Sequence, residues 1–213
     1  MSILVVTAVV EEADAVRAGL PATAAADVRP VGIGPAAAAA GTARLLALAE
    51  CAGRPYRAVV NAGIGGGVVG RAPIGTVVVG TRATAAGLGT ETPAGFQPLE
   101  ALGFGATARY DADPDLHAAL RRALPGARSG EILTVTTVTG TAASTAALLA
   151  AYPAVVAEAM EGFGAATAAQ EAGVPFVEVR TVSNDIGPLD RTAWDLPAAF
   201  AALRTVGAAL GHR

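Results

Sequence analysis

The chain has 213 residues, a formal net charge of −3 and 53% apolar residues, enough to bury a sizeable core without disulfides or a structural metal. No block of lysine and arginine interrupts it, so the basic stripe that a phosphate backbone requires is missing and nucleic acid is not an expected partner. Its one cysteine, Cys51, excludes an intrachain disulfide and a CxxC metal site, and its place at the end of an apolar helical pattern predicts a core thiol.

The first apolar run, 3–10, has no basic segment before it and is followed by Glu11 and Glu12, unlike a secretory signal, which predicts a cytoplasmic location. Further unbroken apolar runs at 58–62, 76–79, 132–138 and 176–182 read, with the first, as strands buried on both faces. Helical patterns occupy 11–20, 35–51, 114–124, 142–151, 161–172 and 196–210 between them. Alternation of the two predicts an α/β fold, with helices layered around a central sheet. Asp113 before Pro114, and Asp195 before Leu196-Pro197, mark two helix starts, each with a capping carboxylate and a proline in the first turn.

Alanine-rich stretches such as 36–40 are each broken by Gly, Thr, Arg or Glu before a membrane span accumulates, and no membrane partner is expected. The stretch 81–110, rich in Gly, Thr and Pro, predicts a substrate-side loop or lid. No repeat and no Pro-rich or Gly/Ser-rich linker divides the chain, so a single domain over 1–213 is expected.

Neither histidine, His117 within a helical pattern or His212 at the end of the chain, is placed for nucleophilic catalysis, and both are expected at the surface. Polar residues at strand ends are the expected carriers of chemistry, because open α/β sheets bind ligands outside the carboxyl ends of their strands. Four places qualify. Glu11 and Glu12 follow the first strand, where one carboxylate can serve the helix dipole and the other can act as a general base; spacing does not say which. The run from Asn61 to Gly70 contains a GxGxxG spacing, but Pro73, Gly75 and a new strand at Thr76 leave no room for a dinucleotide-binding crossover helix. Its glycines fit a tight turn or close backbone approach to a small ligand.

Glu158-Ala159-Met160-Glu161 ends an apolar stretch with a flat apolar contact and a carboxylate suited to a sugar diol. Arg180-Thr181-Val182-Ser183-Asn184-Asp185 closes the last strand, and since neighbouring strand residues face opposite ways, only one of Asn184 and Asp185 is expected in the site.

In this order the glutamates, the Asn-x-Gly-x-x-Gly-Gly run, Met160-Glu161 and Arg180-x-x-Ser183 resemble the purine nucleoside phosphorylase and nucleosidase superfamily. Within it the chain looks most like the hydrolases, such as the 5′-methylthioadenosine/S-adenosylhomocysteine nucleosidases, and above all the futalosine hydrolases, whose Asp-Arg…Trp stretch Asp190-Arg191-Thr192-Ala193-Trp194 resembles. The resemblance implies a single-domain three-layer α/β/α sandwich with a twisted mixed central sheet, no cofactor, a purine nucleoside substrate, and a homo-oligomer in which a neighbouring subunit can close part of the pocket. It also implies Glu12 as the water-activating base, Glu161 at the ribose hydroxyls, Met160 against ribose and base, Gly65 and Gly66 beside the nucleoside, and Arg180 and Ser183 before the leaving-group residue. Val138 falls roughly where adenine-cleaving relatives stack an aromatic side chain.

Those relatives carry an aspartate where this chain has Asn184, which can donate to N7 or O6 of a 6-oxopurine but cannot deliver a proton. Hydrolysis of futalosine to hypoxanthine and dehypoxanthine futalosine is therefore the leading expectation, with a methylthioadenosine nucleosidase or purine nucleoside phosphorylase as the enzyme alternative. A nucleoside-binding module is the non-enzyme alternative. Glutamates in the nucleophile pocket repel a phosphate dianion, and only Arg71 is near enough to counter them. For the carboxylate of futalosine's aryl tail, Arg82 and Arg191 are both available.

Overall fold

The computed structural model describes residues 2–103 and 107–211. Its elements run β1 (Ile3–Thr7), α1 (Val10–Gly19), β2 (Ala26–Pro30), α2 (Pro35–Cys51), β3 (Ala58–Gly67), β4 (Val77–Ala85), β5 (Gly89–Thr92), β6 (Gly95–Pro98), β7 (Arg109–Asp111), α3 (Pro114–Ala123), β8 (Arg128–Thr134), α4 (Ala142–Ala151), β9 (Val155–Ala159), α5 (Gly162–Glu171), β10 (Phe176–Asp185) and α6 (Leu196–Ala209). Both expected caps are present: Asp113 Oδ1 accepts from the N–H groups of Asp115 and Leu116, and Asp195 Oδ1 from that of Ala198.

The main sheet is ordered β10-β4-β8-β9-β3-β1-β2, with β7 on β4. β10 also pairs with β3, so β10, β4, β8, β9 and β3 form a closed circuit from which β1 and β2 extend. β1, β2, β3 and β10 run parallel to one another, while β4 opposes β10 and β9 opposes β3, giving a mixed sheet. Alternate residues of β1 point to opposite faces. Ile3 and Val5 pack with Val16 of α1, Leu120 of α3 and Leu203 of α6. Leu4 and Val6 pack with Leu46 of α2 and Ala165 and Ala169 of α5. Helices on both faces of the sheet make the three layers expected from the sequence.

Small residues set how close those helices come. A Cβ on Gly207 of α6 would lie 2.1 Å from the Val16 carbonyl oxygen of α1, and one on Gly164 of α5 would lie 2.0 Å from the Pro35 carbonyl oxygen of α2. The second approach brings the first turns of α2 and α5 together, and with them two parts of the site.

Several expectations are corrected. Runs 3–10 and 132–138 outlast their strands, because Ala8, Val9 and Val138 line a cavity rather than continue the ladder. β2 buries only Val28, as an edge strand does, and β9 is interrupted by Glu158, so neither gave a clear apolar run. The described residues among 81–110 form ordered elements rather than a loop over the cavity: β4 continues to Ala85, β5 and β6 form a hairpin, β7 joins the sheet, and none of them lines the cavity. Cys51 is exposed, since the buried positions of α2, Ala38, Thr42 and Leu46, recur every four residues and Cys51 falls five beyond the last. His117 is half-buried, with Nε2 at 2.8 Å from Ser129 Oγ, and His212 lies outside the described residues.

Candidate active site

A cavity of about 560 Å³ opens where β1, β3, β9 and β10 end, and its volume suits a nucleoside-sized ligand. Glu12, Gly65, Gly66, Val138, Met160, Glu161, Ser183 and Asn184 all line it. Arg180 does not: it is fully buried behind the wall. Glu11 is exposed and outside the lining, so of the two glutamates the helix phase of α1 turns Glu12 inward.

Glu12 is buried, and three backbone donors hold its carboxylate. Oε2 accepts from the N–H groups of Ala8 at 2.8 Å and Val9 at 3.3 Å, and Oε1 accepts from that of Ile64 at 2.8 Å. Burial raises its pKa above the ordinary carboxylate range, and the Arg180 charge and these N–H groups only partly offset that rise. A carboxylate so poised, facing a cavity, has the properties of a general base.

The glycine run is strand rather than a turn. β3 continues to Gly67, and none of Gly63, Gly65, Gly66 and Gly67 has positive φ, so close approach is what selects glycine here. A Cβ on Gly63 would meet Arg180 Nη1 at 2.6 Å and Glu12 Oε1 at 2.9 Å; one on Gly65 would meet the Glu158 carbonyl oxygen at 2.6 Å. Bare backbone at these positions lets two charged side chains and the neighbouring strand pack directly against β3.

Arg180 organises the site from behind. Nε donates to Glu178 Oε1 at 2.8 Å, Nη1 to Glu161 Oε2 at 3.1 Å, and Nη2 to Asn61 Oδ1, while Asn61 Nδ2 donates to the Val6 carbonyl. Glu161 is completed by the Gly34 N–H on Oε1, the contact that the α2–α5 approach makes possible. Glu178 was not singled out from the sequence, although it stands two residues from Arg180 in a strand buried on both faces and therefore shares its side. Its Oε2 has no hydrogen-bond partner among the described residues, and burial pushes the carboxyl up to about 7 against the pull of Arg180. Three buried carboxylates around one guanidinium leave an excess of negative charge, which favours the protonated form of the least solvated of them. Glu178 is the one whose burial is complete, and it lacks the donors to both oxygens that Glu12 and Glu161 have.

At the end of β10 the register slips between Val182 and Asn184, and this bulge breaks strict alternation. Ser183, Asn184 and Asp185 consequently all border the cavity, against the expectation that only one of the last two would. Ser183 Oγ donates to Asn184 Oδ1 at 2.8 Å and Asn184 Nδ2 donates to the Asp185 carbonyl at 3.0 Å, which fixes the amide's orientation and leaves one N–H of Nδ2 to donate. Glu158, also in the wall, accepts from Thr139 N–H at 2.8 Å and Thr139 Oγ1 at 2.5 Å and so fixes the segment that carries Val138.

Among the described residues no lysine or arginine lines the cavity, while Glu12, Glu158, Glu161, Asp185 and Asp190 do. Arg71 is spent elsewhere, donating to the Pro153 and Val155 carbonyls at 2.7 Å each. Such a wall suits water better than a phosphate dianion as the nucleophile. Among the described residues no helix is long and apolar enough to cross a membrane.

The family model described as the phosphorylase superfamily matches residues 15–210. A futalosine hydrolase of Streptomyces coelicolor is 48% identical, the alignment covering 95% of this chain and 92% of that protein. A futalosine hydrolase of Acidothermus cellulolyticus is 46% identical, covering 98% of this chain and 89% of the relative. The crystal structure of the 5′-methylthioadenosine/S-adenosylhomocysteine nucleosidase of Neisseria meningitidis, in complex with methylthio-immucillin-A, superposes with a TM-score of 0.82 at 23% identity, covering 98% of this chain and 97% of that one; at this identity the likeness speaks for the fold. The chain belongs to the phosphorylase superfamily and, within it, to the family of the futalosine hydrolases.

Proposed function

We propose that the chain cleaves the N-glycosidic bond of futalosine with water, releasing hypoxanthine and dehypoxanthine futalosine in menaquinone biosynthesis. Glu12 takes a proton from the water that attacks C1′, and Glu161 accepts hydrogen bonds from the ribose hydroxyls. Met160 packs against ribose and base, with Gly65, Gly66 and Val138 completing the nucleoside contacts. Arg180 acts through Glu161 and does not itself touch substrate. As the C1′–N9 bond breaks, its electron pair passes to the purine, and the donor end of Asn184 stabilises the charge that develops on N7 and O6. The departing base gains its proton on release to solvent, because an amide has none to give.

The observation that carries the reading is the Ser183–Asn184 contact at 2.8 Å. With Oδ1 accepting from Ser183 and one N–H given to the Asp185 carbonyl, the remaining N–H of Asn184 is presented to the base, which matches an acceptor, N7 or O6, of a 6-oxopurine and opposes the 6-amino donor of adenine. The identity with futalosine hydrolases over nearly the whole chain supports the same substrate. Asn184→Asp tests it: cleavage of hypoxanthine nucleosides should fall and cleavage of adenine nucleosides should gain ground, measured as the ratio of the two kcat/KM values. Faster futalosine cleavage by the variant would contradict the leaving-group argument.

We also infer that residues 1–213 act as one domain in a cytoplasmic homo-oligomer. Ile33, Val138 and Leu189, at 62%, 46% and 59% exposure, form an apolar rim on the cavity that a neighbouring subunit would cover, and light scattering on the purified protein reads the subunit number.

A further inference from the structure

The cavity wall carries five carboxylates and, among the described residues, no cation, yet the proposed substrate ends in an aryl carboxylate. An anionic ligand needs a countercharge at such a site. Of the two arginines available, Arg82 is engaged: its Nε donates to Asp111 Oδ1 at 2.6 Å, on strand residues outside the cavity wall. Arg57 and Arg122 border a separate cavity lined by Ile3, Leu116 and Leu210, away from the glutamates.

Arg191 differs from all of these. It stands between Asp190 and Ala193, both in the cavity wall, and it is exposed, with no carboxylate within ion-pair distance among the described residues. Its guanidinium carbon lies 5.9 Å from the ring centroid of Trp194. Trp194 lines the cavity beside Ile74, Leu196 and Phe200, an apolar patch fit for a flat aromatic group. The neighbouring Asp190 forms no ion pair with the guanidinium among the described residues, and its Oδ1 accepts from Thr192 N–H at 2.9 Å and Thr192 Oγ1 at 2.6 Å, which pins the short turn that presents Arg191.

We propose that Arg191 and Trp194 form a subsite for the aromatic carboxylate end of the substrate, Trp194 receiving the ring and Arg191 the carboxylate. The inference rests on the futalosine reading above and adds what selects futalosine over a plain nucleoside such as inosine. A planar guanidinium with its donors free matches a carboxylate in two parallel hydrogen bonds, and stacking on Trp194 limits the entropy lost in making them.

The test measures kcat and KM for futalosine and for its uncharged carboxamide, in the wild type, Arg191→Gln and Arg191→Lys. Arg191→Gln should raise the KM for futalosine about tenfold or more with little change in kcat, and Arg191→Lys should recover part of the loss. The preference for futalosine over its carboxamide should collapse toward unity in Arg191→Gln. In the wild type alone, added salt should raise the KM for futalosine and leave that for the carboxamide nearly level. An unchanged preference in Arg191→Gln, with salt acting equally on both substrates, would overturn the subsite while leaving futalosine cleavage intact. A wild type that releases no hypoxanthine from either compound would overturn the proposed function itself.

Discussion

Glu12 is kept both buried and surrounded by donors, and the two conditions act on its pKa in opposite directions. Burial is the larger, so the group protonates above the usual carboxylate range. Catalysis by its ionised form should accordingly fade on the acid side with a midpoint above 4.5, read from the pH profile of kcat/KM. Glu12→Gln should lower kcat by about 10²- to 10⁴-fold while the nucleoside still binds. A variant that kept most of its turnover, or a profile flat down to pH 4.5, would remove Glu12 from the base role. Which of Glu11 and Glu12 faces the cavity was not legible in the sequence, because both sit in a first helical turn and the phase of that turn is set by contacts across the sheet. Cys51 shows the same limit: the period of α2 is plain in the sequence, but the end of its buried stripe is not, and Cys51 lies exposed beyond it.

Elements were most legible where the evidence was local. All six helices were expected to within one residue at each end, because amphipathic period, proline and capping aspartate act inside a single segment. The glycine run of β3 was harder, since what selects glycine there is the closeness of Arg180, Glu12 and the backbone of β9, all remote in sequence. β10 carries a consequence for stability. The folded state holds the Glu178 proton up to about pH 7, whereas the unfolded chain releases it near 4.5. Its contribution is therefore complete below pH 4.5 and is lost as pH rises through about 7. Glu178→Gln, neutral at every pH and still able to accept from Arg180 Nε, should fold and should show a shallower fall in thermal midpoint across that window. Equal slopes in the two proteins would mean that Glu178 is ionised throughout.

For the whole molecule, the closed circuit of β10, β4, β8, β9 and β3 brings the ends of β3, β9 and β10 to one cavity, and β1, paired with β3, adds the fourth strand end. The family resemblance had already gathered Glu12, Gly65, Gly66, Met160, Glu161, Ser183 and Asn184, and the fold assembles them in one wall. It had also gathered Arg180, which the fold sets behind that wall as a support, and it gave no sign of Glu178. Charge balance in the interior and the bulge that turns Ser183, Asn184 and Asp185 toward one space are properties of the assembled sheet, and no single segment encodes them. Hydrolysis of a 6-oxopurine nucleoside with a carboxylated tail is tested by chromatography of the purified protein incubated separately with futalosine, inosine and methylthioadenosine, with and without phosphate. Hypoxanthine should be released from futalosine at a rate independent of phosphate; adenine from methylthioadenosine as the main product, or release that requires phosphate, would contradict the proposed function.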